Sequence, residues 1–129
     1  MSNESPETHQ ADAVRKAKAL LAEFAGLLAS IDSSPMPHPK RAVRQHWHYL
    51  CRRKMLLNGL VNDVQALSAA HESAGNPHAA RALSELGEHY QREYALAARA
   101  VQIHKAAIAR LIRRSADHRT ILGIWEASQ

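Results

Sequence analysis

The chain has 129 residues, 46% hydrophobic, 22% charged and only 5% aromatic, with a formal net charge of +5. That length fits one domain able to bury a core without disulfides or a structural metal, and the single cysteine, Cys51, excludes an intramolecular disulfide framework. A lone cysteine suits a reducing compartment, MSNESPETHQ lacks the apolar centre of a secretory signal, and Lys or Arg interrupts every apolar run, so a cytoplasmic chain without a membrane span is expected.

Five Gly and five Pro among abundant Ala, Leu and Arg favour helix over sheet. Ser5-Pro6-Glu7 reads as a helix start, with Ser5 as cap and Pro6 where a missing N–H costs nothing. Val14, Ala17, Leu21, Phe24, Leu28 and Ile31 then follow at three- and four-residue steps, which predicts a helix over 6–31. Pro35, Pro37 and Pro39 make 33–39 an extended, stiff connector. A second helix over 40–73 carries Val43, Trp47, Leu50, Lys54, Leu57, Val61 and Val64, broadened by Leu60 and Leu67. Gly59 in its middle weakens that helix or lets a neighbour approach closely. Gly75 suits a left-handed turn, and Asn76-Pro77 suits the cap and first turn of a third helix.

That third helix is expected over 77–114 on the stripe Leu83, Leu86, Tyr90, Tyr94, Ala97, Val101, His104, Ile108 and Leu111. Beyond Ser115, Asp117 could cap a separate short tail helix, about 118–127, carrying Ile121, Leu122, Ile124 and Trp125. Short connections make neighbouring helices antiparallel, so the fold class is all-α: an elongated three-helix bundle about 40–55 Å long with a docked C-terminal helix. A break at Gly59 or in the Ala-rich stretch 97–100 would make it four helices. The sustained heptad-like stride suits coiled-coil-style packing.

Charge is distributed unevenly. Residues 33–62 hold Lys40, Arg41, Arg44, Arg52, Arg53 and Lys54 with no acid, and residues 99–119 hold six basic groups against Asp117 alone. Between them, 63–98 is mildly acidic. On helical projection Arg41, Arg44, His48 and Arg52 share one side of the second helix, opposite its apolar stripe. Arg81, Arg92, Arg99, Arg110 and Arg113 form a ridge on the third, about 48 Å long. Antiparallel packing would bring both positive blocks to one end of the rod. A plain solvated face usually mixes signs, whereas these blocks hold twelve cations and one acid. Arg outnumbers Lys twelve to five, which suits bidentate contact with phosphate. The candidate nucleic-acid-binding residues are therefore Arg41, Arg44, Arg52, Arg92, Arg99, Arg110 and Arg113, contacting backbone without sequence readout. Tyr49 and Trp125 are too few for a stacking platform, and no groove-reading or zinc-finger spacing is present.

Catalytic and metal chemistry find weaker footing. His46, His48 and Cys51 resemble a metal cluster in sequence, but His46 points away from the other two on a helix. Glu85, Glu88, His89 and Glu93 lack the Glu-x-x-His spacing of a carboxylate-bridged di-metal bundle, and the second helix offers only Asp63. No metal or cofactor is implied. Arg113-Arg-Ser-Ala-Asp-His118 matches the Arg-to-His spacing of HEPN-type ribonucleases, with Arg113 and His118 as its pair; an Arg-rich chain with nine His produces such spacings by chance. His71 and His104 sit on apolar stripes and read as satisfied core-edge residues.

In size, helical class and basic charge the chain resembles the small all-helical subunits of CRISPR effector ribonucleoproteins. That resemblance implies a non-catalytic scaffold subunit packed in a larger assembly, with the seven arginines lining the path of RNA or single-stranded DNA. The competing reading is a helical protein-interaction or chaperone-like module whose arginines meet acidic protein and whose apolar tail, Ile121, Ile124 and Trp125, engages a partner helix. Copies of the chain itself are candidate partners too, the acidic band from Asp63 to Glu93 meeting the basic end of a neighbour.

Overall fold

The computed structural model describes residues 6–36 and 40–129. Ser5 as a cap and Pro37 to Pro39 of the connector lie outside the described residues. The fold is an all-α bundle of α1 (Pro6–Ser33), α2 (Lys40–Ser73) and α3 (Pro77–Ala127). At 1.5 Å per residue they span about 42, 51 and 76 Å. Neither Gly59 nor the 97–100 stretch interrupts its helix, so the count among the described residues is three.

α2 lies between the other two. It runs antiparallel to α3, with Trp47 beside His104, Arg53 paired to Glu93, and the Ser68 hydroxyl donating to the Ala80 carbonyl. It also runs antiparallel to α1, where Phe24 meets Trp47 and His48. On α3 the buried positions Ala80, Gly87, Val101, Ile108 and Ser115 recur at multiples of seven, as coiled-coil packing requires. α2 answers with Trp47, Lys54 and Val61, also seven apart, and with Cys51 and Asn58 between them. Asn58 and Asn62 are buried, the Asn62 amide donating to the Asn58 carbonyl at 2.7 Å, and this polar layer falls where an apolar stripe alone would leave register unspecified.

The core is concentrated at the connector end. Ile31, Met36, Trp47, Cys51, Val101 and Ile108 form one cluster, ringed by Phe24, Leu27, Leu28, Val43, Leu50, Leu111 and Ile112. Polar ties close the same end. Lys40 donates to the Asp32 carbonyl, Arg44 pairs with the Asp32 carboxylate at 3.0 Å, and Ser115 Oγ donates to the Pro35 carbonyl at 2.6 Å. Away from that end α2 and α3 continue on small side chains, Gly87 coming so close that an added Cβ would lie 3.5 Å from Val64. The close-approach glycine is therefore Gly87; at Gly59 an added Cβ would meet nothing within 4 Å.

Two expectations are corrected. The stripe on α1 is only partly used: Ile31 is buried, but Val14 and Leu21 are about half exposed, because α1 packs mainly along α2 and touches α3 little, through the Glu23–Lys105 pair and the core cluster around Ile31. The tail is not a separate docked helix. α3 passes through Ser115 without a break, since the Ser115 hydroxyl serves the connector rather than a cap and no Gly or Pro intervenes before Gly123. Everything beyond Ser115 is exposed. At the other end of α3, Gly75 adopts φ +79, and the Asn76 and Gly75 amides donate to the His71 and Glu72 carbonyls, closing α2 with a Schellman turn. Pro77 opens α3 as expected, whereas the Asn76 side chain makes no cap hydrogen bond and faces His71 instead.

Candidate nucleic-acid interface

All seven candidate arginines are exposed. Antiparallel packing does bring the two basic segments to the same end, yet it turns them to different sides. Arg44 is held by Asp32 of α1. Arg52 lines the groove between α1 and α2 beside Leu21 and Phe24. Arg41 stands seven residues before His48, whose ring meets Phe24 edge-on at 4.6 Å, so Arg41 shares that side. The α2 set thus faces α1, and one of its members is already neutralised.

The α3 set is different. Arg92, Arg99 and Arg113 each precede a position of the α2-facing heptad by two residues, and Arg110 follows Ile108 by two, which places all four on the far side of α3 from α2. None of the four pairs with a carboxylate among the described residues. From Tyr94 to Ala116 the helix contains no acid. Arg81 stands apart, near Glu85 and Glu88 at the acidic end. Leu96 and Ile103, 63% and 59% exposed, lie between the ridge arginines, a feature that the apolar stripe of α3 gave no reason to expect. A groove of about 700 Å³ between α2 and α3 near Val64 and Gly87 touches the ridge at Arg92 alone.

Other candidate chemistry is dispersed by the fold. His46 stacks toward Tyr49 and meets His104 edge-on at 4.4 Å, His48 abuts Phe24, and Cys51 is buried, so the three do not converge. Among the described residues no three His, Cys, Asp or Glu side chains gather as a metal site. Arg113 and His118 are five residues apart on one continuous helix, hence about 140° apart around its axis, and a single chain does not bring them together.

Burial pushes the Cys51 thiol up to about 11, with Glu23 adding to the shift. At pH 8 about one thiol in a thousand is ionised, so labelling by a thiol reagent should be slow in the native protein and fast in denaturant. His104 is half-buried, and its Nε2 has no hydrogen-bond partner, contrary to the expected satisfied histidine. Burial, and then the neighbouring His46, hold its pKa below the ordinary 6.5. The folded state therefore binds fewer protons than the unfolded one, and stability is complete above pH 6.5 and declines as pH falls through and below it. Melting temperature should fall between pH 7 and pH 5, and His104→Leu should flatten that slope. The carboxylates with lowered pKa, Asp12 and Glu23, lose their contribution only at lower pH.

No protein-family model matches the chain, nor does any curated protein or solved structure. Among the described residues no helix is long and apolar enough to cross a membrane.

Proposed function

We propose that this chain is a non-catalytic helical subunit whose α3 ridge contacts nucleic-acid backbone and scaffolds a nucleoprotein complex, the role implied by its resemblance to the small helical subunits of CRISPR effectors. The observation carrying this reading is the set Arg92, Arg99, Arg110 and Arg113, exposed along about 32 Å of one rigid helix with no carboxylate partner among the described residues. Arg41 and Arg52 serve as a secondary contact, and Arg44 anchors the connector. A straight row of guanidinium groups suits phosphates and carries no means of reading bases.

A second reading has one specific observation in its favour. Leu96 and Ile103 lie exposed among the arginines, a pattern that suits an amphipathic protein partner with acidic flanks. Fluorescence anisotropy with labelled single-stranded RNA and duplex DNA separates the two. The Arg92→Glu/Arg99→Glu/Arg110→Glu variant, of unchanged helicity, should lose binding, while Leu96→Ala/Ile103→Ala retains it. Absence of binding at low salt by the folded wild-type chain would remove the nucleic-acid reading.

A further inference from the structure

The last turns of α3 carry large apolar side chains that nothing among the described residues covers. Ile121, Leu122, Ile124 and Trp125 are 65%, 43%, 67% and 60% exposed. A helix continuous through Ala127 cannot return them to its own bundle. His118, Ile121, Leu122 and Trp125 share one face of this overhang, and Arg119 and Glu126 lie together on one flank, about two turns apart.

The same chain holds an uncovered groove that suits this face. Between α1 and α2, Leu21, Phe24, Met55, Leu56 and Leu60 line a space of about 520 Å³, and Gly59 leaves its floor open. Its ends are oppositely charged. Arg52 stands at one and Asp63 at the other, neither of them ion-paired among the described residues. They are about 16 Å apart along α2, against about 10 Å from Arg119 to Glu126 on the overhang. An arginine takes part at each junction, and its long side chain closes the difference.

We propose that the α3 overhang of one copy docks in the α1/α2 groove of a second copy, antiparallel to that copy's α2, with Arg119 against Asp63 and Glu126 against Arg52. The reverse orientation would set Arg119 beside Arg52 and Glu126 beside Asp63, like charge against like. Polarity follows from this choice. Within each copy α3 runs antiparallel to α2, so an overhang lying antiparallel to its neighbour's α2 makes both copies point the same way. Each added copy then leaves one overhang and one groove unfilled, so the contact is heterologous and open-ended rather than a closed pair. One short helix in a groove gives an interface at the small end of the specific range, and assembly should depend on concentration accordingly. This contact uses none of the α3 ridge arginines and does not rest on the nucleic-acid reading, although it would withdraw Arg52 from the secondary contact with a polymer.

Sedimentation velocity of the full chain, without nucleic acid and from about 1 to about 200 µM, tests it. The wild-type protein should sediment faster with concentration and pass beyond a dimer. Trp125→Asp, which spoils the overhang, should weaken assembly at least about tenfold at unchanged helicity. Gly59→Leu fills the groove while favouring helix, and should do the same without loss of thermal stability. A mixture of these two variants restores one junction and should stop at a heterodimer. Asp63→Arg should also weaken assembly, and adding Arg119→Glu to the same chain should restore it. A wild-type chain that stays monomeric at every concentration, or assembly undiminished in Trp125→Asp or Gly59→Leu, overturns the proposal. A wild-type assembly that ends at two copies overturns its head-to-tail polarity. Nucleic-acid binding by monomeric Trp125→Asp reports on the ridge separately, so either reading can fail without the other.

Discussion

Trp47→Ala is expected to cost about 3–5 kcal/mol, the largest loss of any single truncation in the chain. Trp47 is fully buried and is the side chain on which all three helices meet. Its ring lies 6.5 Å from Phe24 of α1 and 6.3 Å from His104 of α3, centroid to centroid. Trp47 is the one aromatic among the buried members of the connector-end cluster, and close-packed neighbours relax only partly into the space an indole vacates. A domain of this size has about 5–15 kcal/mol in total, and the variant should therefore be partly unfolded near its working temperature. Urea unfolding followed by circular dichroism would show the midpoint falling at an unchanged slope. Trp47→Phe should cost distinctly less, because it keeps most of the volume and removes an indole N–H that has no partner. Trp125→Ala supplies the contrast: on the exposed overhang it should change monomer stability by under about 0.5 kcal/mol.

Salt should weaken nucleic-acid binding by the ridge about 50- to 150-fold between 50 and 200 mM. Four phosphate contacts from Arg92, Arg99, Arg110 and Arg113 give a log–log slope of about −3.6 on duplex DNA and about −2.8 on a single strand. Reversing Arg92, Arg99 and Arg110 should remove most of that slope together with the binding itself. If Arg41 and Arg52 also reach the polymer, each adds close to one unit of slope on duplex. Arg44 should add little, since Asp32 already compensates it. A comparison of Arg44→Gln with Arg99→Gln in the same titration checks this: the first should leave the slope nearly intact, and the second should lower it by almost one. Affinity should be similar for unrelated sequences of the same length, because contacts to backbone position a polymer without specifying it.

Apolar periodicity made the central stripes of α2 and α3 legible, including the burial of Lys54, because both helices are packed along much of their length and follow a seven-residue repeat, whereas Leu60, Leu67 and Leu86, also expected on those stripes, are exposed. Gly75 and Pro77 marked the turn through backbone preferences that depend little on context. α1 was less legible. A helix's moment shows which side is apolar and not how much of that side finds a partner, so Val14 and Leu21 stayed open where Ile31 closed. Buried Asn58 and Asn62 left no apolar signal at all. The break expected at Ser115 failed because a serine's hydroxyl can serve any nearby carbonyl, and only the fold places Pro35 within its reach. For the candidate interface, helical projection alone grouped the α3 arginines, since they lie on one straight element. It could not foresee that the α2 arginines face α1, which depends on how the helices surround one another, or that Asp32 across the connector would occupy Arg44.

The unbroken course of α3 has a mechanical consequence. A helix is a screw of fixed pitch, so the angular phase between any two of its side chains is set by their separation in sequence. Arg113 and Trp125 are twelve residues apart, about 120° around the axis and about 18 Å along it. The guanidinium row and the Trp125 face are therefore aimed in different directions by one stiff strut, without a hinge between them. A polymer lying along the row leaves the Trp125 face unobstructed, and a neighbour held at Trp125 is delivered at a set angle to the row. Copies joined in this way would carry their rows forward with a constant screw displacement, set jointly by the residue count between Arg113 and Trp125 and by where the α1/α2 groove lies relative to the neighbour's row.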